Sequence, residues 1–147
     1  MSAAPPRIVV TRRYPYPAER VFDAWLIPEI ARRWLFTTDD SEIIRCEIDA
    51  RVGGKFEIVD RRDSGEFKGE IRHIGEYLEI DRPRRLVFTF GVPQFDPNMT
   101  RVEIDIVTKG SGCELTLTHH GVPAEWRERT TGGWTMLLGN LEREISL

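Results

Sequence analysis

"TTGGWTMLLGNLE", residues Thr130 to Glu142, sets two adjacent glycines immediately before an apolar pattern with helical spacing. A glycine in a helix interior costs about 1 kcal/mol relative to alanine. The pattern nevertheless extends around the pair: within the segment Pro123 to Leu147, Trp134, Leu137, Leu138, Leu141 and Ile145 share one side of a helix. Arg127, Glu128, Arg129, Glu142, Arg143 and Glu144 supply much of its polar complement. A helix of about 20 residues spans roughly 30 Å. Bare backbone at Gly132 and Gly133 reads as a point of close approach to a neighbour, or of bending, as Trp134 enters the interior.

Such a stripe needs a surface to cover. From Asp40 onward the periodicity changes to two, in the runs "EIIRCEIDA", "GKFEIVDRR", "FKGEIRHIGEYLEI", "RRLVFTFGV", "TRVEIDIVTKG" and "CELTLTHHG". Turn signals separate them at Gly53-Gly54, Asp63-Ser64-Gly65, Asp81-Arg82-Pro83, Pro93 to Asn98 and Gly110-Ser111-Gly112. The spacing predicts a meander of sequential antiparallel strands. One face is apolar, with Phe56, Ile58, Leu86, Phe88, Phe90, Val102, Ile104, Ile106, Leu115 and Leu117, and the other carries Lys55, Glu57, Thr89, Glu103, Asp105, Glu114 and Thr116. Around Ile71 to Ile80 the parity conflicts, because Ile74, Leu78 and Ile80 oppose Ile71 and Tyr77. A bulge near Gly75 would re-register that strand.

Ahead of the meander, "RIVVTRRYPYP" predicts a strand ended by Pro15 and Pro17. Val21, Phe22, Trp25 and Leu26 then predict a short helix beginning at Pro17. After a break at Pro28, Ile30, Ala31, Trp34 and Leu35 predict a second. The expected architecture is α+β, one domain over residues 1–147, with a long helix across a curved antiparallel sheet and two short helices after the first strand.

Composition agrees with a single core: 147 residues, 40% hydrophobic and 31% charged, with no apolar run of membrane-spanning length. A net charge of -3, with short basic pairs flanked by acids, argues against nucleic acid as a partner. The N-terminal run Ile8-Val9-Val10 gives way at once to Thr11, Arg12 and Arg13, unlike a signal peptide, so the reading is cytoplasmic. Cys46 and Cys113 lack metal-site spacing and read as reduced packing residues.

The segments "YPYPAERVFDAWLIPEIARRWL", "DARVGGKFEI", "GEYLEIDRPRRLVFTF", "GCELTLTHHGVP" and "GGWTMLLGNLE" resemble, in order and spacing, the helix-grip superfamily called SRPBCC. Within it they resemble the family named after the activator of the heat-shock-protein ATPase. The resemblance implies a seven-stranded antiparallel sheet gripping the C-terminal helix with a cavity between them. It does not imply one activity, because related domains bind lipids, sterols, hormones or polyketides, a few are enzymes, and one branch stimulates a chaperone. Where many relatives carry a histidine shortly before the Gly-Trp pair, this chain has Thr130 or Thr131.

Among His73, His119 and His120, His119 shares parity with Leu115 and Leu117 and is expected at the cavity edge. Adjacent strand histidines diverge, and no nucleophile elbow or P-loop stands in the chain. No catalytic residue, metal or cofactor is therefore assigned. Aromatic residues on helices and sheet are expected to converge on the interior, giving Trp134, Leu138, Tyr77, Phe88, Ile104, Leu117 and His119 as ligand-lining residues. His119 and Tyr77 are the polar contacts of that set, and Phe95 and Met99 a candidate rim. The leading expectation is a binder of an apolar or amphipathic small molecule. The alternative is a co-chaperone-like interaction module in a stress response. A third reading is acid-base catalysis through His119, with Asp105 or Glu103 considered only under a different strand parity. The sequence leaves oligomeric state open, a homodimer included.

Overall fold

The structure is a computed structural model that describes residues 7–146; the N-terminal residues 1–6 and the predicted helix end at Leu147 lie outside the described residues. The chain begins in β1 (Arg7–Tyr14), passes through the short helices α1 (Ala18–Asp23) and α2 (Pro28–Ala31), and enters the meander. Its strands are β2 (Ser41–Ile48), β3 (Lys55–Arg62), β4 (Gly69–Asp81), β5 (Arg85–Phe90), β6 (Thr100–Lys109) and β7 (Gly112–His120), and α3 (Ala124–Ile145) follows. Sheet order is β1-β7-β6-β5-β4-β3-β2, antiparallel throughout, so the meander is closed on one side by the first strand returning beside the last. This is the α+β helix-grip arrangement.

The inner face follows the alternation in the sequence. Val102, Ile104 and Ile106 on β6 and Leu115 and Leu117 on β7 are buried and pack beneath α3, whose buried side is Trp134, Leu137, Leu138, Leu141 and Ile145. The Tyr14 hydroxyl donates to the Leu138 carbonyl at 2.8 Å in a buried contact, pinning β1 to α3. The outer face carries charge pairs such as Arg85 with Asp105 at 2.7 Å and Arg101 with Glu103 at 2.8 Å. Exposed pairs of this kind contribute about 0–1 kcal/mol each and chiefly keep that face wet.

The parity conflict in β4 is resolved by a register shift, at a different place from the one expected. Ile71, His73, Gly75 and Tyr77 are all buried in strict alternation, and the shift against β5 falls between Tyr77 and Glu79, leaving Leu78 exposed. Gly75 serves another purpose. A Cβ there would strike the Thr89 carbonyl and the Phe56 ring, so its absence lets two strands and an inward aromatic close together.

Along the strands the interior divides into two regions. Beneath α1, α2 and the C-terminal half of α3 it is solid. Trp25 packs edge-on to Trp34 at 4.7 Å between centroids and reaches Phe88 at 6.2 Å and Trp134 at 6.1 Å. Trp34, fully buried, donates its indole N–H to the Ala24 carbonyl at 3.0 Å. Beneath the N-terminal half of α3 the interior is hollow.

Candidate functional site

The hollow region is a cavity of about 400 Å³, bounded by the end of β5 and the loop after it, by His119 and Val122, and by one side of α3 from Trp126 to Leu137. That volume lies within the usual range for small-molecule sites. Most of the wall is apolar, formed by Phe36, Ile71, Phe90, Trp134 and Leu137, with Trp126 from the first turn of α3 and Phe67 and Phe95 from two loops. These last three rings cluster together, Phe67 and Phe95 at 5.0 Å and Phe95 stacked on Trp126 at 6.0 Å. Arg129 lies over both Phe67 and Trp126, at 5.2 and 5.3 Å from their centroids.

Gly133 is part of this wall. A Cβ added at Gly132 or Gly133 would meet no atom within 4 Å, so the expectation that the pair allows close approach is overturned. At Gly133 the missing side chain leaves cavity space. Gly132 faces solvent, and nothing in the structure explains it.

Of the seven residues expected to line the ligand space, Trp134 and His119 border the cavity. Tyr77, Phe88, Ile104, Leu117 and Leu138 point inward as read, but stand in the packed core, where Trp25 reaches Phe88 and Tyr77 packs against Phe56 and Phe88. Phe95 lines the cavity as a rim residue. Met99 instead packs over Gly91.

His119 is 1% exposed and has both ring nitrogens engaged. The Trp134 indole N–H donates to Nδ1 at 3.1 Å, so Nδ1 carries no proton and Nε2 does. Nε2–H then donates to the Thr100 hydroxyl at 2.7 Å, which donates onward to the Phe90 carbonyl at 3.0 Å. The chain of bonds orients Trp134 in the cavity wall and leaves no free nitrogen on His119 for a ligand or for proton transfer. The two expected polar contacts, His119 and Tyr77, thus have other roles: one is a clamp between β7 and α3, and the other is packed away from the cavity.

The polar corner of the cavity lies elsewhere, at Arg62 and His73. Asp60, with no exposed surface, accepts from Arg62 Nε at 2.8 Å. His73 donates from Nδ1 to the Ile58 carbonyl at 3.1 Å, and its ring lies flat on Phe36, 4.3 Å between centroids with 1° between planes. Phe36 holds this position with φ of 59°, in the left-handed region that non-glycine residues rarely occupy. Sequence reading missed this corner, although the alternation Asp60, Arg62 on β3 and Ile71, His73 on β4 carries the signal: four inward positions, three of them polar.

Burial pushes His119 down to about 4, with a smaller push from His120. His73 also falls to about 4; burial dominates, opposed by Asp60 and the Ile58 carbonyl and reinforced by Arg62. Both imidazoles are neutral in the folded protein near neutrality, whereas the unfolded chain takes up their protons around pH 6.5. Stability is therefore full above about 6.5 and is lost as pH falls from there toward 4, together on the order of several kcal/mol. Urea unfolding should show a clearly lower midpoint at about pH 5 than at pH 7. Equal midpoints would contradict the buried, neutral state of both rings.

Fold and site define a helix-grip protein with an apolar pocket at one end of the grip. The chain belongs to the family described as Activator of Hsp90 ATPase homolog 1-like protein, whose sequence model matches residues 15–146. Among solved structures, protein CV1439 from Chromobacterium violaceum is similar with a TM-score of 0.85 at 24% identity, covering 96% of this chain and 97% of that one. An AHSA1-like protein from Aeromonas hydrophila matches with a TM-score of 0.81 at 20% identity, over 96% and 92% of the two chains. Protein SA2116 from Staphylococcus aureus matches with a TM-score of 0.82 at 16% identity, over 96% and 93%. At these identities the likeness is one of fold. No curated protein matches the chain. Among the described residues no helix is long and apolar enough to cross a membrane, and no three metal-ligating side chains are grouped.

Proposed function

We propose that this protein binds an apolar or amphipathic small molecule in the cavity between the end of the sheet and the N-terminal half of α3. One observation carries the reading: a space of about 400 Å³ walled by aromatic rings, kept open where Gly133 has no side chain, beside a core that is otherwise tightly filled. Aromatic walls favour flat or ring-containing ligands through offset and edge-on contacts, and removing apolar surface from water supplies the drive. The test is native mass spectrometry of protein isolated from its own host, with a thermal-shift panel of lipids and aromatics. A retained species or a saturable stabilisation is expected; neither would appear if the cavity is unused.

The family's description favours a second reading, an interaction module that stimulates a chaperone ATPase. It requires association with the host chaperone and a change in ATPase rate, and a pull-down followed by that assay separates it from the first. Catalysis through His119 is disfavoured by the engagement of both its nitrogens.

A further inference from the structure

The Arg62–His73 corner has a hydrogen-bonding pattern that selects among ligands. The Ile58 carbonyl can only accept, so the proton on neutral His73 resides on Nδ1, leaving Nε2 as a bare acceptor on a ring that lines the cavity. Among the described residues Nε2 has no hydrogen-bond partner, and Arg62 is bonded only through Nε, so its terminal N–H groups are available. Phe36 covers one face of the His73 ring, which limits access to its edge. An orphan acceptor and an orphan donor thus border the same apolar space, in a residue only 6% exposed and in one tied to fully buried Asp60.

We propose that this corner recognises an uncharged head group that accepts from Arg62 and donates to His73 Nε2, a hydroxyl on an aromatic or aliphatic body being the smallest such group. The assignment rests on the reading that the cavity binds a small molecule. Charge excludes the obvious competitor. Asp60 neutralises Arg62 across 2.8 Å, Glu66 stands 3.5 Å from Arg129, a second cation of the wall, and His73 is uncharged, so the corner has no net positive charge with which to compensate a desolvated carboxylate. A carboxylate would also set its lone pairs against that of Nε2. A purely apolar end would leave the Arg62 N–H groups and Nε2 unpaired, the situation that polar sites reject most strongly.

Isothermal titration of the full chain with 4-butylphenol, 4-butylanisole and 4-butylbenzoate tests the head group with the body held constant. The anisole accepts but cannot donate, and the benzoate adds charge. The phenol should bind about tenfold tighter than either of the others. His73→Phe, which keeps the stack on Phe36, should abolish the preference of the phenol over the anisole, whereas His73→Gln, with a carbonyl acceptor, should restore part of it. Should His73→Phe fail to fold, Arg62→Lys retains the charge beside Asp60 while losing the guanidinium fork, and should erode the same preference. Equal binding of phenol and anisole to the wild type, or tighter binding of the benzoate, would overturn the head-group assignment while leaving the binding reading intact. Failure of all three to bind would overturn both.

Discussion

Leucine in place of Gly133 is expected to abolish ligand uptake, by about a hundredfold or more, in a protein that remains folded. Two independent facts lead there. Gly133 is part of the cavity wall, and a Cβ built on it meets nothing within 4 Å, so a side chain there starts into open ligand space. The helix gains as well, since alanine at this position should raise stability by about 1 kcal/mol and the melting temperature by about 3 °C. Gain in stability with loss of binding is the pattern of a residue retained for function. Gly132→Ala, on the solvent side of the helix, is the control: it should give the same stabilisation with binding unaltered. Calorimetric melting and titration with the best ligand of the panel read both quantities. Loss of stability in Gly133→Ala would mean that the glycine is there for the backbone, contrary to the space observed around it.

Arg62→Met is expected to be among the most destabilising changes in the molecule, about 3–5 kcal/mol in urea unfolding. Asp60 is 0% exposed, and Arg62, 20% exposed, is its only charged partner within 3 Å among the described residues. One Asp60 oxygen already lacks a hydrogen bond and faces only the neutral His73 ring at 3.7 Å, so removing Arg62 strands a buried carboxylate. Replacing both residues, Asp60→Leu with Arg62→Met, should recover most of the loss, because buried ion pairs contribute little beyond their apolar equivalents. Failure of the double variant to recover would indicate that the pair stabilises the corner beyond mutual neutralisation. A small effect of Arg62→Met alone would show that Asp60 is solvated.

Much of this fold was legible because each strand keeps one apolar face and the helix keeps its stripe. Strand parity placed His119 inward and helical spacing placed Trp134, and both stand at the cavity. What parity does not encode is position along the strand. Tyr77, Phe88, Ile104 and Leu117 face the interior as read, but whether a given stretch of interior is filled depends on Trp25 and Trp34, carried there by α1, α2 and the turns beside them. Phe36, Phe67 and Trp126 were not legible as lining. Phe36 depends on a left-handed backbone turn and Phe67 on the β3–β4 connection, whose geometry no periodicity describes, while Trp126 stands on the first turn of α3, beyond the apolar stripe read in the sequence. The glycine pair shows the same limit: its helix cost was plain in the sequence, but only the surrounding space distinguishes a close contact from a hollow.

The central claim is that this hollow is a binding site, and a crystal structure of the protein with the tightest binder of the panel tests it most directly. The account predicts ligand density bounded by Phe90, Trp126, Trp134 and Gly133, with its polar end against Arg62 and His73. Density elsewhere on the molecule, or a cavity closed by Phe95 and Trp126 with the ligand excluded, would contradict it.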